Sequence, residues 1–231
     1  MDKLNDVLHL DWETRSALDL AEYGLSNYST HPTTDVILGC YAFNNEEIKP
    51  WYPGEEVPQR ILEHILSGKL IVGHNVQFER VICNEIAAKR YGWPTISISQ
   101  SDCTSARAYA MGLPGSLEKA AAAVGIPLQK DMRGHRIMLQ LCKPRYIENG
   151  EIVWWDKKEK YDALLEYCKT DVEVERLLHE RLLSLSPSER KVWELDQKIN
   201  ERGILIAVDQ AHRATQVLDY YKDRYNREIN L

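Results

Sequence analysis

The sequence lacks any long apolar run. No stretch approaches the roughly 18 consecutive apolar residues of a membrane-spanning helix, and the first six residues have neither the basic nor the apolar region of a signal peptide. A membrane protein and an exported protein are therefore disfavoured. We expect a soluble protein of the cytoplasm.

Cysteine is scarce and scattered. The chain has five, an odd number, and no two lie within ten residues of each other, so neither a disulfide framework nor a zinc-knuckle spacing is present. We expect reduced thiols at all five positions, which are Cys40, Cys83, Cys103, Cys142 and Cys168.

Positive charge is also in short supply. Lys and Arg number 29 against 35 Asp and Glu, which gives a net charge of −6. This balance argues against a general electrostatic binder of nucleic acid, because such proteins usually carry a basic surplus. The 231 residues, 44% of them hydrophobic, are enough for one large domain or one and a half small ones with a real core.

The apolar pattern predicts strands that alternate with helices after an opening hairpin, as in an α/β sheet of mixed direction. Short apolar or alternating runs predict strands over residues 7–14, 36–43, 48–52, 69–73 and 96–102. Helical spacing is present over residues 59–66, 77–91, 105–111, 117–124 and 158–183. Asn149-Gly150 predicts the turn of a second hairpin over residues 146–155.

A new helical element is expected after residue 185. Ser186 is a suitable N-cap and Glu189 can complete a capping box, while Gly203 ends the helix and Asp209 can cap a further one. Because two helices follow with little strand between them, we place a domain boundary near residue 185. It divides a domain of residues 1–185 from a helical extension of residues 186–231.

Two acids end the first strand. Strand alternation puts Asp11 and Glu13 on one face, with Cα atoms about 6.5 to 7 Å apart, and Leu10 and Trp12 on the other. An isolated Asp-x-Glu is most often an exposed strand end. The pair becomes a candidate site only if other acids converge on it.

Two later segments supply such acids. Residues 72–80 join a buried strand to a helix, and Glu79 lies in its first turns, where a negative charge also suits the helix dipole. In the helix of residues 158–183, Tyr167 and Asp171 are four residues apart, so both side chains can reach one point beside the apolar stripe. Taken alone, each segment has an ordinary structural interpretation.

Together and in this order, the three segments resemble the motifs of the DEDD superfamily of 3′→5′ exonucleases, in the branch whose third motif is Tyr-x-x-x-Asp. The matching segments are Asp11-Trp12-Glu13-Thr14, His74-Asn75-Val76-Gln77-Phe78-Glu79 and Tyr167-Cys168-Lys169-Thr170-Asp171. A closer likeness, to the proofreading domain of bacteriophage-type family A DNA polymerases, rests on residues 102–104, 112–118, 130–134 and 143–145. The resemblance covers residues 7 to about 185, and residues 193–209 resemble the connection into a polymerase domain.

The resemblance implies a ribonuclease H-like fold, with a mixed five-stranded sheet flanked by helices, and removal of nucleotides from single-stranded or frayed DNA 3′ ends. It also implies two divalent ions, and oxygen ligands suit Mg²⁺ or Mn²⁺ rather than zinc. Asp11 would bridge both ions, Glu13 and Asp171 would hold the one that activates water, and Glu79 would support the second. Tyr167, a poor general base with a reference pKa near 10, would orient the water.

The same resemblance suggests substrate contacts. Apolar and aromatic side chains can stack on bases, whereas polar and basic side chains can contact the strand or its phosphates. The candidates are Thr14, Leu18, His74, Asn75, Phe78, Lys130, Arg133 and Arg136. The last three belong to the one dense basic segment of the chain, residues 130–145.

One departure leaves alternatives open. The second motif of the family usually ends in Asp, and this chain has Glu79, whose longer side chain must retract to reach the same site. The leading hypothesis is a DNA proofreading exonuclease of a bacterial or phage-infected cell, acting on a single-stranded 3′ end beside a polymerase domain or subunit and away from membranes. The alternatives are an RNA-trimming exonuclease and a non-catalytic single-strand-binding module.

Overall fold

A computed structural model describes residues 6–127 and 132–229. Its strands are β1 (Leu8–Arg15), β2 (Asp35–Phe43), β3 (Lys49–Trp51), β4 (Ile71–Gly73), β5 (Ser101–Cys103), β6 (Tyr146–Glu148) and β7 (Glu151–Val153). Its helices are α1 (Leu20–Thr30), α2 (Gln59–Leu66), α3 (Gln77–Ile82), α4 (Ala88–Tyr91), α5 (Thr104–Ala110), α6 (Leu117–Ala123), α7 (Met132–Leu141), α8 (Lys158–Arg181), α9 (Pro187–Arg202) and α10 (Val208–Ile229).

The main sheet has five strands in the order β3-β2-β1-β4-β5. β1 lies at its centre, antiparallel to β2 and parallel to β4, which in turn is parallel to β5. The α/β class and the mixed five-stranded sheet flanked by helices are therefore confirmed. Because β1, β4 and β5 run in the same direction, their carboxyl ends meet at one edge of the sheet.

Each face of the sheet is covered by its own apolar cluster. Leu8, Leu10 and Trp12 of β1 point into the cluster beneath α2 and α3, whereas Leu38 and Cys40 of β2 face α8. The apolar stripe of α8 packs on this second face through Leu164, Cys168 and Val172. The acidic residues of β1 therefore project toward α8.

The strand predicted over residues 96–102 is mostly absent. Residues 98–100 form a 3₁₀ turn, and only Ser101–Cys103 pair with β4. The alternating Ile and Ser residues resemble a strand, but the Ser97 side chain accepts a hydrogen bond from the Gln100 backbone N–H in a capping box. This local bond competes with strand pairing.

Other sequence predictions differ in detail. The helix predicted over residues 77–91 is present, but Cys83–Ala87 form a π-helical turn between α3 and α4. α10 begins at Val208, so Asp209 lies in its first turn and does not cap it. Helices α1 and α7 were not predicted, and α1 is broken at Gly24, whose φ of 75° lies outside the helical range.

The second hairpin and the capping box are confirmed. β6 and β7 pair across Asn149-Gly150, both with positive φ. The Ser186 hydroxyl accepts from the Glu189 N–H at 3.3 Å, and the Glu189 carboxylate accepts from the Ser186 N–H at 3.0 Å.

By its internal contacts the chain forms two compact units, Met1–Gln197 and Lys198–Leu231. The boundary near residue 185, between the first domain and the helical extension of residues 186–231, stays a prediction. Within the described residues, no helix is both long and apolar enough to cross a bilayer.

Candidate active site

β1 and α8 together create an acidic cavity. Asp11 and Glu13 reach it from β1, and Tyr167 and Asp171 reach it from α8. Alternation in β1 and the four-residue spacing in α8 bring these four side chains together, as the sequence predicts. Glu79, from the first turn of α3, is buried close enough to Asp11 for the two charges to repel.

The cavity has a volume of about 640 Å³ and two kinds of wall. The acidic residues and Tyr167 form one part, and apolar or aromatic side chains form much of the remainder. Its lining also includes Trp12, Thr14, Leu18, Asp19, Leu20, Ala21, Tyr28, Phe78, Met138, Leu139, Cys142 and Lys143.

A buried thiol joins the acidic cluster. The Cys168 Sγ donates a hydrogen bond to the Asp11 Oδ2 at 3.2 Å. One donor atom each from Asp11, Glu13 and Cys168 lies within 4.8 Å of the others. In the sequence, Cys168 is notable only as the residue that follows Tyr167 in the third motif, so this contact was not predicted.

Glu79 is accommodated by a glycine. Its side chain is only 3% exposed, and a Cβ added to Gly73, at the end of β4, would lie 3.2 Å from the Glu79 Oε2. The backbone of Gly73 thus leaves room for the longer acid. The Glu79 Oε2 has no hydrogen-bond partner among the described residues.

Burial raises the pKa of each acid in this cluster, and mutual repulsion adds to it. The pKa of Asp11 is raised to about 6, chiefly by burial and despite the Cys168 hydrogen bond. The pKa of Asp171 is raised to about 8 by burial and by the charge of Asp11. Burial and the charge of Asp11 also raise the pKa of Glu13 and of Glu79 well above the usual range.

These observations fit a divalent cation site. A buried carboxylate oxygen lacks a partner among the described residues, and the neighbouring carboxyl groups are held where ionisation is costly. Hard cations such as Mg²⁺ and Mn²⁺ favour this oxygen-rich donor set and would relieve the repulsion. The four residues suited to hold such ions are Asp11, Glu13, Glu79 and Asp171.

A fifth acid was missed from the sequence. Glu175 lies one turn after Asp171 on α8, and its Oε2 pairs with the His9 Nδ1 at 2.8 Å. Both side chains are buried, and His9 is two residues before Asp11 on the same face of β1. This pair fixes α8 against β1, and the spacing 167, 171, 175 was the signal that could have revealed it.

Some of the predicted substrate residues line the cavity and others do not. Thr14, Leu18 and Phe78 line the cavity. Thr14 is buried, and its hydroxyl is 2.8 Å from that of Tyr28. Asn75 is exposed at the start of the second motif, with a φ of 70°.

His74 is held within the protein. Its Nδ1 lies 2.9 Å from the Thr104 hydroxyl and its Nε2 lies 2.7 Å from the Gly115 carbonyl oxygen. Burial lowers its pKa. This geometry favours a role in fixing the loop, so a direct substrate contact stays a prediction that requires one of these bonds to break.

The basic candidates lie outside the cavity lining or outside the described residues. Lys130 is among residues 128–131, which the structure does not describe, and the same holds for the side chain of Arg133. Arg136 is exposed on α7 and is not part of the lining. Lys143, from the same basic segment, does line the cavity and pairs with Asp19 at 2.6 Å.

Sequence comparison relates the chain to a phage DNA polymerase. The chain is 34% identical to a DNA polymerase of Bacillus phage SP02 in an alignment of 227 positions, and the alignment covers 94% of this chain and 34% of that polymerase. The chain is homologous to about a third of a phage DNA polymerase. It spans about a third of the length of that polymerase. No model of a known protein family matches the chain.

Two solved structures have a weaker likeness. One is the family B DNA polymerase of the archaeon Pyrobaculum calidifontis, with a TM-score of 0.47 and 16% identity over 77% of this chain and 24% of that one. The other is Brucella melitensis NrnC, with a TM-score of 0.43 and 11% identity over 87% of both chains. Likenesses this weak do not indicate a function, so the function is inferred from the residues of the site.

The raised pKa values predict a pH-dependent stability without bound metal. Between about pH 4 and pH 8 the folded protein keeps a proton on Asp171 that the unfolded chain has released, so unfolding becomes easier as pH rises. The slope is up to about 1.4 kcal/mol per pH unit for one proton. We expect Asp171→Asn to gain stability relative to the original protein from pH 5 to pH 8, in urea unfolding with EDTA.

Asp162 provides the control, because it is exposed on the same helix. Asp162→Asn should leave the pH dependence unchanged. A stability difference between Asp171→Asn and the original protein that stays constant across this range would contradict the explanation.

The contact between Gly73 and Glu79 predicts a compensating pair of substitutions. In Gly73→Ala the new Cβ crowds the Glu79 carboxylate, and we expect Mn²⁺ affinity to fall on the order of tenfold, as when other supporting residues of metal sites are changed. In a Glu79→Asp background the shorter acid should make the same change less harmful. Mn²⁺ titrations followed by electron paramagnetic resonance measure both effects, and an equal loss in the two backgrounds would refute the proposed crowding.

Proposed function

We propose that this chain is a metal-dependent 3′→5′ exonuclease that removes nucleotides from single-stranded or frayed DNA ends. The observation that carries the proposal is the convergence of Asp11, Glu13 and Asp171, with Tyr167, in one cavity that also has an apolar wall. The homology to a phage DNA polymerase supports DNA as the substrate. From the resemblance of the motifs alone, we also propose that this role is proofreading for a polymerase of family A.

The acidic residues would act as ligands. Asp11 would be a ligand common to two divalent ions, Glu13 and Asp171 would hold one of them, and Glu79 would support the other. Such ions would supply activation of the attacking water and stabilisation of the leaving 3′ oxygen. The raised pKa values describe the acids without metal, and bound dications would favour their ionised forms.

Tyr167 has a positioning role in this mechanism. Burial and the nearby charges of Asp171 and Glu13 raise the pKa of its phenol, so the hydroxyl keeps its proton at neutral pH. A protonated phenol is a poor base but a good hydrogen-bond donor. Tyr167, which lines the cavity beside Asp171, would therefore orient the attacking water through its hydroxyl.

The apolar wall suits an unpaired terminal nucleotide. Leu18 and Phe78 line the same cavity as the acids, and both are partly exposed. Stacking of a base on such side chains is worth about 1 to 3 kcal/mol. A paired terminal base would stay in the duplex, so the site favours frayed or single-stranded ends.

The test uses a labelled single-stranded DNA oligonucleotide with Mg²⁺, Mn²⁺ or EDTA. We expect a ladder of products shortened from the 3′ end that disappears in EDTA. A matched RNA oligonucleotide tests the RNA-trimming alternative, and tight binding without shortening in either metal would support the non-catalytic alternative and overturn the proposal.

Two variants test the division of roles in this assay. Asp11→Ala should abolish cleavage because it removes the bridging ligand, whereas Tyr167→Phe should slow cleavage and leave measurable activity. The rates are compared at saturating metal. Equal losses in the two variants would contradict the assignment of Tyr167 to orientation.

A further inference from the structure

A cluster of cations and aromatic rings surrounds the β6–β7 hairpin, and we refer to it as the hairpin patch. The Arg15 guanidinium lies 4.9 Å from the centre of the Trp154 ring. Arg145 lies 5.4 Å from the Tyr146 ring and 5.2 Å from the Trp155 ring. The Lys160 Nζ lies 3.4 Å from the Trp155 ring. The patch consists of Arg15, Arg145, Tyr146, Trp154, Trp155 and Lys160.

The cations of this patch are not paired with carboxylates. Within the part of the chain that the structure describes, Arg15, Arg145 and Lys160 contact aromatic rings and have no carboxylate at ion-pair distance, and Lys160 also donates to the Gln140 amide oxygen at 2.5 Å. Contact with an aromatic ring holds a cation in place without neutralising it. The patch is therefore a local positive surface on a chain whose net charge is −6.

The hairpin patch is connected to the lining of the acidic cavity by short segments of backbone. Arg15 is two residues after Glu13 on β1, so the two Cα atoms are separated by about 6.5 to 7 Å. The Ser16 N–H donates to the Cys142 carbonyl oxygen at 3.0 Å, and Cys142 and Lys143 line the cavity. Two residues later the Arg145 N–H donates to the Val153 carbonyl oxygen at 2.9 Å and begins the hairpin.

We propose that the hairpin patch binds the single strand that leads away from the 3′ end held in the cavity. This inference rests on the proposed function and adds the path of the substrate outside the catalytic site. Fixed cations would contact the phosphates, and the exposed ring of Tyr146 would stack on a base. Glu148 and Glu151 are cross-strand partners at the tip of the hairpin, and their negative charges would repel the phosphates of the strand at that end.

The composition of the patch favours a single strand over a duplex. Surfaces that bind single-stranded nucleic acid combine basic groups with aromatic rings, on which unpaired bases stack. Tyr146 is 45% exposed and Ile147 is 65% exposed, so both offer open surface at the hairpin. In a duplex the bases are already stacked on one another, and these side chains would have no base to meet.

The first experiment measures binding. A fluorescein-labelled oligothymidylate of about 15 nucleotides is titrated with protein in EDTA, so that no strand is cut, and anisotropy is recorded at several salt concentrations. We expect the surface variant Arg145→Gln/Tyr146→Ala to bind roughly tenfold more weakly, with a salt slope lowered by about 0.7 for each phosphate that the variant no longer binds. Arg15→Gln alone should reduce the slope in the same way.

Lys191→Gln is the matched control. Lys191 is exposed on α9, and its neighbour Arg190 donates to the carbonyl oxygens of Ile98 and Ser99, which precede the outer strand β5. Removal of this charge should leave affinity and salt slope unchanged. Equal weakening by Lys191→Gln, or no weakening by the patch variants, would overturn the proposal.

A second assay separates this proposal from the proposed function. Hydrolysis of the p-nitrophenyl ester of thymidine 5′-phosphate with Mn²⁺ needs only the cavity, so the patch variants should retain the original rate, which also shows that they are folded. If the original protein neither hydrolyses the ester nor shortens DNA, the proposed function fails. The anisotropy comparison still decides whether the patch binds a strand.

Discussion

The repulsion between buried carboxylates is the constraint on which the rest of the site depends. Two like charges 4 Å apart repel by about 4 kcal/mol at an effective dielectric of 20. The cluster holds Asp11, Glu13, Glu79 and Asp171, with Glu175 near, and burial raises the pKa of the first four. A fold that brings them together needs rigid supports, and either protons or bound cations must balance the negative charge.

The supports come from both sides of the cluster. The His9–Glu175 pair and the Cys168–Asp11 hydrogen bond fix α8 against β1 at two successive levels. Behind them, Arg107 bridges Asp102 on β5 and His179 on α8, and the His179 ring packs edge-on to His9 at 5.4 Å. Burial and Arg107 lower the pKa of His179 to about 4, so the His179 ring adds no positive charge to this network at neutral pH.

Much of this site follows from local rules in the sequence. The period of two in β1 separates Asp11 and Glu13 from Leu10 and Trp12, and the helical period in α8 aligns Tyr167 with Asp171. The capping box at Ser186 is equally local. Each of these depends only on neighbours within a few residues, so the pattern predicts the structure.

The features that were missed depend on tertiary contacts. Gly73 matters only because Glu79 folds back over it, and Glu175 matters only because His9 lies opposite on β1. Helix α1 is interrupted at Gly24 and buries few residues, so it lacks a clear helical period. The hairpin patch combines residues from β1, the hairpin and α8, which no sequence window contains.

The most direct test of the account is the number of Mn²⁺ ions bound per chain at pH 8. Electron paramagnetic resonance of free Mn²⁺ during a titration gives this number. The account predicts two ions in the original protein and a loss of at least one in Asp11→Asn, since Asp11 would bridge them. Absence of stoichiometric binding, or the same binding in Asp11→Asn, would contradict a metal site built on these carboxylates.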